Sequence, residues 1–328
     1  MSKSTATKRK KSSHRLDPIV AKAVREAQKA APGDDREFFN RLREKLGPKV
    51  LPPPKRGGGG ALSTGRSADS QAAGARVRDD PRYVANLRTL ARRSANARII
   101  GGTAVTGADL ADCVAVGSET AWGCTGTLIA PNVVLTAAHC ESLHTRVFVG
   151  SDVTKPGRVF KIKKHIRHEN FDPNFRNDLM ILILEKKVTG VKPRAMATTA
   201  GINKATVARL AGFGSTSLDG TGTLAAKLET SVPIVSQKCS GQVNGSDDSQ
   251  VYHCHLNKEI VAGKPLLHQD TCKGDSGGPL LIQDANGRWL LAGVTSRGTA
   301  LGQTMCGDGG VYVRVDAYKA WITRAKKG

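Results

Sequence analysis

From residue 99 to the C-terminus the chain is written in short apolar runs, each cut off within a few residues by Gly, Asn, Asp or Pro. Val114 to Val116, Val133 to Leu135, Val147 to Val149, Leu179 to Leu184, Thr206 to Leu210, Leu280 to Ile282, Leu290 to Val294 and Val311 to Val315 are such runs. They suit strands and are too brief for helices, and no long helical pattern separates them, which argues against a parallel sheet with crossover helices. The pattern predicts an all-β fold built from antiparallel sandwiches or closed barrels. Only Asp316 to Ala325, with Tyr318, Trp321 and Ile322, has helical spacing. No internal repeat of fixed period is visible.

The first 98 residues have another texture. They hold 24 Lys and Arg against 9 Asp and Glu, whereas residues 99 to 328 hold 26 against 19, so most of the net charge of +22 lies in front. Asp17-Pro18 predicts a helix through about Ala31, and Asp35 a second one carrying Phe38, Phe39, Leu42 and Leu46. "LPPPKRGGGG" breaks the pattern, residues 61 to 74 read as linker, and Asp80-Pro81 opens a third short helix. The apolar surface is too small for an independent core, so residues 1 to 98 are expected to form a basic, partly helical or disordered extension. The start, MSKSTATKRKKSSHR, has no apolar stretch behind it to serve as a signal-peptide core. No apolar run approaches the roughly 18 residues of a membrane-spanning helix, so no transmembrane segment is expected.

The sharpest chemical feature is "DTCKGDSGGPL", Asp270 to Leu280, a serine among glycines beside an apolar strand. It satisfies the G-x-S-x-G pattern of a nucleophile elbow, whose fold requires a histidine after the serine. All eight histidines, His14, His139, His144, His165, His168, His253, His255 and His268, precede Ser276, so the base must lie upstream. A serine hydroxyl needs such a base within hydrogen-bonding reach, and the base needs an acid to fix its tautomer. His139 closes the apolar run of "VVLTAAHC" beside a cysteine that can pin it. Asp178 stands before a strand so apolar that a carboxylate at its mouth demands a partner. His139, Asp178 and Ser276 thus form a coherent set.

"RIIGGTAV" at Arg98 to Val105, "LTAAHC" at Leu135 to Cys140, "NDLMILIL" at Asn177 to Leu184 and "GDSGGPL" at Gly274 to Leu280 together resemble the chymotrypsin/trypsin serine proteases. The resemblance covers residues 99 to 328 and leaves residues 1 to 98 outside it. It implies two antiparallel Greek-key β-barrels with a C-terminal helix. It also implies a triad in which Ser276 attacks, His139 moves the proton and Asp178 orients the imidazole, with the N–H groups of Gly274 and Ser276 as oxyanion hole. Asp270, six residues before the nucleophile, falls at the floor of the primary pocket and implies cleavage after Arg or Lys, with Ser296, Gly298 and Gly310 lining the site. The implied disulfides are Cys124 with Cys140, Cys239 with Cys254 and Cys272 with Cys306; Cys113 is left over as a buried small hydrophobe.

By the same resemblance, a cut after Arg98 would free the Ile99 ammonium to pair with Asp275 and order the site, making residues 1 to 98 a propeptide. A basic arm for an anionic surface or nucleic acid, or a plain linker, are the alternatives for that stretch. No cofactor is required. His253-Cys254-His255 and His165-x-x-His168 lack a four-ligand set and are expected at the surface, and the short basic stretch Ser151 to Lys164 argues against calcium. Departures from the family are Arg297 where an aromatic residue is usual, Phe213 where Trp is common, and a long segment between Gly298 and Cys306. Three disulfides imply an oxidising compartment, so a secreted or extracytoplasmic protein is expected; a monomer acting on proteins or peptides with Arg or Lys at the cleaved bond is expected as well. A catalytically silent homologue that binds or regulates, and an esterase acting on small esters, are the rival functions.

Overall fold

A computed structural model describes residues 102–105, 109–141, 144–216, 225–243, 246–263, 269–299 and 306–328. The helices expected in residues 1 to 98, Arg98 and Ile99, and the segment 300–305 lie outside the described residues.

The first barrel closes in the order β2-β3-β4-β7-β6-β5 and every neighbour is antiparallel. Its strands are β2 (Cys113–Gly117), β3 (Trp122–Ala130), β4 (Val133–Thr136), β5 (Arg146–Val149), β6 (Arg158–Arg167) and β7 (Met180–Leu184). The short β1 (Thr103–Ala104) pairs with the second barrel instead. That barrel consists of β8 (Val207–Gly212), β9 (Leu228–Ser236), β12 (Glu259–Ala262), β13 (Pro279–Gln283), β14 (Trp289–Gly298) and β15 (Gly310–Arg314), and the pairing of β8 with β9 closes it. The small hairpin β10 (Gln242–Val243) and β11 (Ser246–Asp247) stands apart.

Strand for strand, the second barrel repeats the Greek-key order of the first. No fixed sequence period announces this, because what recurs is hydrogen-bond topology, which many unrelated alternations of buried and exposed residues can satisfy.

The eight apolar runs all become strands. β2 and β15 are buried along their whole length, and β7 is buried except at Ile183. β6 carries a different pattern: Phe160, Ile162 and Ile166 are half-buried while Arg158, Lys161, Lys163, Lys164 and Arg167 stay exposed. A register shift between Ile162 and Lys164 lets β6 keep its apolar side chains on the core despite the run of cations. Each fully buried Leu, such as Leu135 on β4 or Leu182 on β7, contributes about 1.5–3 kcal/mol by leaving water.

Among the described residues there are three α-helices, α1 (Thr199–Lys204), α2 (Asp248–Val251) and α3 (Lys319–Ala325), the last preceded by a 3-10 turn at Asp316–Tyr318. The C-terminal helix matches expectation. The six-residue α1 and four-residue α2 are too short to print a helical period; the Thr198 hydroxyl caps α1 by accepting from Gly201 N at 3.1 Å. α3 buries Trp321 and Ile322 in the core cluster that also contains the strands of the first barrel. His168, expected at the surface, is instead buried: its ring packs 4.9 Å from Trp321 and edge-on 5.5 Å from Tyr318. The aromatic spacing of the terminal helix, not the His-x-x-His pattern, decides its environment.

Candidate active site

β4 ends at Thr136 and leads into a 3-10 turn, Ala138–Glu141, that carries His139. The Cys124–Cys140 disulfide ties this turn to β3. Thr136 lies directly opposite Met180 on β7. Asp178, two residues before Met180, therefore meets His139, three residues after Thr136. The His139 backbone N–H donates to Asp178 Oδ1 at 2.9 Å, and ring Nδ1 lies 2.8 Å from Asp178 Oδ2. A carboxylate only accepts, so Nδ1 carries the proton and Nε2 is left as a base.

Asp178 has no exposed surface, whereas the His139 side chain is 24 % exposed. Burial by itself would raise the Asp178 carboxyl, but the His139 charge and the hydrogen bonds from its ring, from Ser296 and from its backbone hold the carboxyl below its ordinary range. Ser296, expected only to line the substrate site, donates from Oγ to Asp178 Oδ2 at 2.6 Å. The Phe175 ring meets the imidazole edge-on at 5.6 Å from a backbone held at φ +58°. The Ser296 contact joins residues 118 positions apart, whereas Phe175 stands three residues before Asp178 in the loop that leads into β7.

Ser276 sits in the turn between Cys272 and β13. Its carbonyl accepts from Thr125 N at 2.8 Å and lies 3.6 Å from Cys140 Sγ, beside His139 in the chain. Gly277 has φ +81°, and a Cβ there would come within 2.0 Å of Thr136 Oγ1 and 2.8 Å of Ala137 N. Only glycine lets the serine turn press this closely on the end of β4. The Gly277 N–H donates to Thr295 O at 2.8 Å, and Gly274, at φ +97°, offers its carbonyl to Thr125 Oγ1 at 2.8 Å. Among the described residues, no protein acceptor takes the N–H of Gly274 or of Ser276.

Asp275 is fully buried, accepting from Gly214 N at 2.7 Å and Cys272 N at 2.9 Å. Burial pushes its carboxyl up to about 6 against those two donors. Asp270 is buried as well, and not an exposed loop acid: Tyr312 Oη donates to Oδ1 at 2.8 Å and Thr271 N at 2.6 Å. Burial raises it to about 7 although both groups pull the other way. Gly298 and Gly310 face each other across β14 and β15. The Cys272–Cys306 and Cys239–Cys254 disulfides are formed, and Cys113 is free, buried on β2, its thiol pushed up to about 12 by burial.

Arg297 points into the body rather than offering an aromatic shelf. Its two terminal nitrogens each reach Glu259 at 2.8 Å, and they also donate to His253 O at 2.8 Å and Ser296 Oγ at 3.3 Å. The guanidinium lies 5.9 Å from the Phe175 ring centre. Glu259 is the buried acid that makes an arginine tolerable here, a partner 38 residues away that local patterning does not reveal.

Twin Greek-key barrels, with His139 and Asp178 from the first and Ser276 from the second, have the architecture of the trypsin-like serine proteases. A family model described as Trypsin matches residues 99–322, and the chain belongs to that family. Granzyme H of Homo sapiens is 31 % identical over 215 residues, which cover 62 % of this chain and 80 % of that protein. Granzyme A of Bos taurus is 32 % identical over 219 residues, covering 62 % and 80 %. A "Trypsin-like protease" of Streptomyces glaucescens is 30 % identical over 250 residues, covering 74 % and 88 %. Membership makes this a peptidase-type hydrolase fold that takes protein substrates.

Proposed function

We propose that the chain is a serine endopeptidase that cleaves after Arg or Lys. The observation that carries this is the hydrogen-bonded set of His139, Asp178 and Ser296 beside the turn of Ser276. In the proposed reaction His139 Nε2 takes the proton of Ser276 Oγ as that oxygen adds to the scissile carbonyl. The oxyanion is received by the N–H groups of Gly274 and Ser276, which have no other acceptor among the described residues. His139 then protonates the leaving amine, and water repeats the sequence to release the acyl group. Asp178 stays ionised throughout and stabilises the imidazolium. Asp270, buried and with no cationic partner among the described residues, gains one when a substrate Arg or Lys enters between Gly298 and Gly310.

Residues 99–328 form the protease domain and residues 1–98 a propeptide, removed by cleavage after Arg98. The freed Ile99 ammonium then pairs with the buried Asp275 carboxylate, which has only backbone donors in the described structure. The chain is made as a zymogen, functions as a monomer, and works in an oxidising, extracytoplasmic setting that keeps its three disulfides intact.

Four proteins test this: wild type, Ser276→Ala, Asp270→Ser and Arg98→Gln, each treated with an activating protease and assayed on peptides differing only in Arg, Lys or Phe at the cleaved bond. Wild type should cleave the Arg and Lys peptides, Asp270→Ser should lose that preference, and the other two should be inert. Failure of cleaved wild type to react with a serine-directed phosphonate would instead make the chain a silent binding homologue. Full activity of uncleaved Arg98→Gln would overturn the zymogen switch alone.

A further inference from the structure

Thr125 belongs to β3 of the first barrel, yet its side chain serves the turn of the second. It is fully buried. Its hydroxyl donates to Gly274 O at 2.8 Å and accepts from Phe213 N at 3.2 Å, while its backbone N–H donates to Ser276 O at 2.8 Å. The peptide joining Gly274 to Asp275 is thereby held at both ends, since the Asp275 N–H donates to Cys272 O at 2.9 Å. The next segment it touches, Phe213–Gly214, grips the Asp275 carboxylate through Gly214 N at 2.7 Å. Thr125 is packed in as tightly as it is bonded: a Cβ on Gly212 would lie 3.1 Å from its Oγ1, and one on Gly278 3.1 Å from its Cγ2.

We propose that Thr125 is a positioning residue for oxyanion stabilisation. Its hydroxyl sets the plane of the Gly274–Asp275 peptide and so the direction of the flanking Gly274 and Ser276 N–H groups. This rests on the proposed function above, in which those N–H groups receive the oxyanion. A glycine at φ +97° is free to rotate its peptide, so some group must choose one orientation. The only side-chain hydrogen bond to that carbonyl among the described residues comes from Thr125. Preorganised donors lose much of their value when their direction is allowed to wander, because reorientation must then accompany charge development.

The test uses the full chain matured by cleavage after Arg98, as wild type, Thr125→Ser, Thr125→Val and Thr125→Ala. Two inhibitors are titrated: a peptidyl boronate with Arg at the reacting end, which forms a tetrahedral adduct using the oxyanion site, and benzamidine, which needs only the primary pocket. Thr125→Val should weaken the boronate about tenfold and lower kcat by a similar factor, a fraction of the 10²–10³ that losing a whole donor costs. Benzamidine affinity and KM should stay within twofold, and Thr125→Ser should restore the wild-type ratio. Equal weakening of both inhibitors, or of neither, overturns the proposal, and Thr125→Ala is judged by the same ratio should the valine variant not fold. Wild type that binds neither inhibitor would refute the proposed function itself.

Discussion

Asp270 offers the most exacting prediction, because its pH dependence can be worked out before any substrate is known. Its carboxyl is buried with no cation beside it among the described residues, and burial lifts it to about 7. A cationic ligand needs the ionised form. At pH 8 a carboxyl titrating at about 7 is ionised in about 90 % of molecules, and at pH 5.5 in about 3 %. Benzamidine, which stays cationic across this range, should therefore bind about 30-fold more weakly at pH 5.5 than at pH 8, or about 2 kcal/mol. The sign for stability follows from the same shift. A carboxyl raised by folding contributes stability that is present below about pH 4 and is lost as pH rises toward about 7, and a bound cation restores it above that point. Calorimetric titration of the matured chain at half-unit steps, beside a thermal scan with and without ligand, measures both effects. An affinity constant to within twofold between pH 8 and 5.5 would refute the assignment of Asp270 as the ligand's partner, and so would an unchanged slope in Asp270→Asn.

Three further outcomes follow from the geometry. Asp178→Asn leaves one acceptor for three donors, the His139 N–H, Nδ1–H and Ser296 Oγ–H. The serine can rotate but the imidazole must change tautomer, so kcat should fall about 10⁴-fold, the cost of the same change in this family's reference enzyme; steady-state kinetics at pH 8 decide it. Gly277→Ala places a Cβ 2.4 Å from Thr125 O and 2.0 Å from Thr136 Oγ1 at φ +81° and should destabilise the chain by at least ~3 kcal/mol in urea unfolding. Glu259→Gln removes the acid beside Arg297, whose side chain is 17 % exposed against 2 % for Glu259, so the loss should be about 2 kcal/mol, with most of it recovered in the double variant Glu259→Gln/Arg297→Leu.

Arg297 illustrates where local reasoning stops. In sequence it is an aromatic position lost; in the fold it is an ion pair with Glu259 that packs over Phe175 and reaches Ser296. Thr125 was equally silent, one more polar residue in a strand, until docking of the two barrels carried it to a turn 149 residues away. The strands behave in the opposite manner. β7 and β13 are visible as apolar runs because each buries nearly all its side chains, whereas β6 is masked by the cations on its exposed positions.

Local chemistry was enough to name an all-β chain and to nominate His139, Asp178 and Ser276 as candidates, since a glycine-bound serine, a strand-closing histidine and an acid before an apolar strand each leave a short-range mark. What the acid would touch, how deep Asp270 and Asp275 would lie, and which hydroxyls would brace the serine turn depended on closing two barrels against one another. Those contacts join residues dozens to more than a hundred positions apart. Chain patterning encodes which face of a strand is buried, but only packing decides which other strand waits on that side.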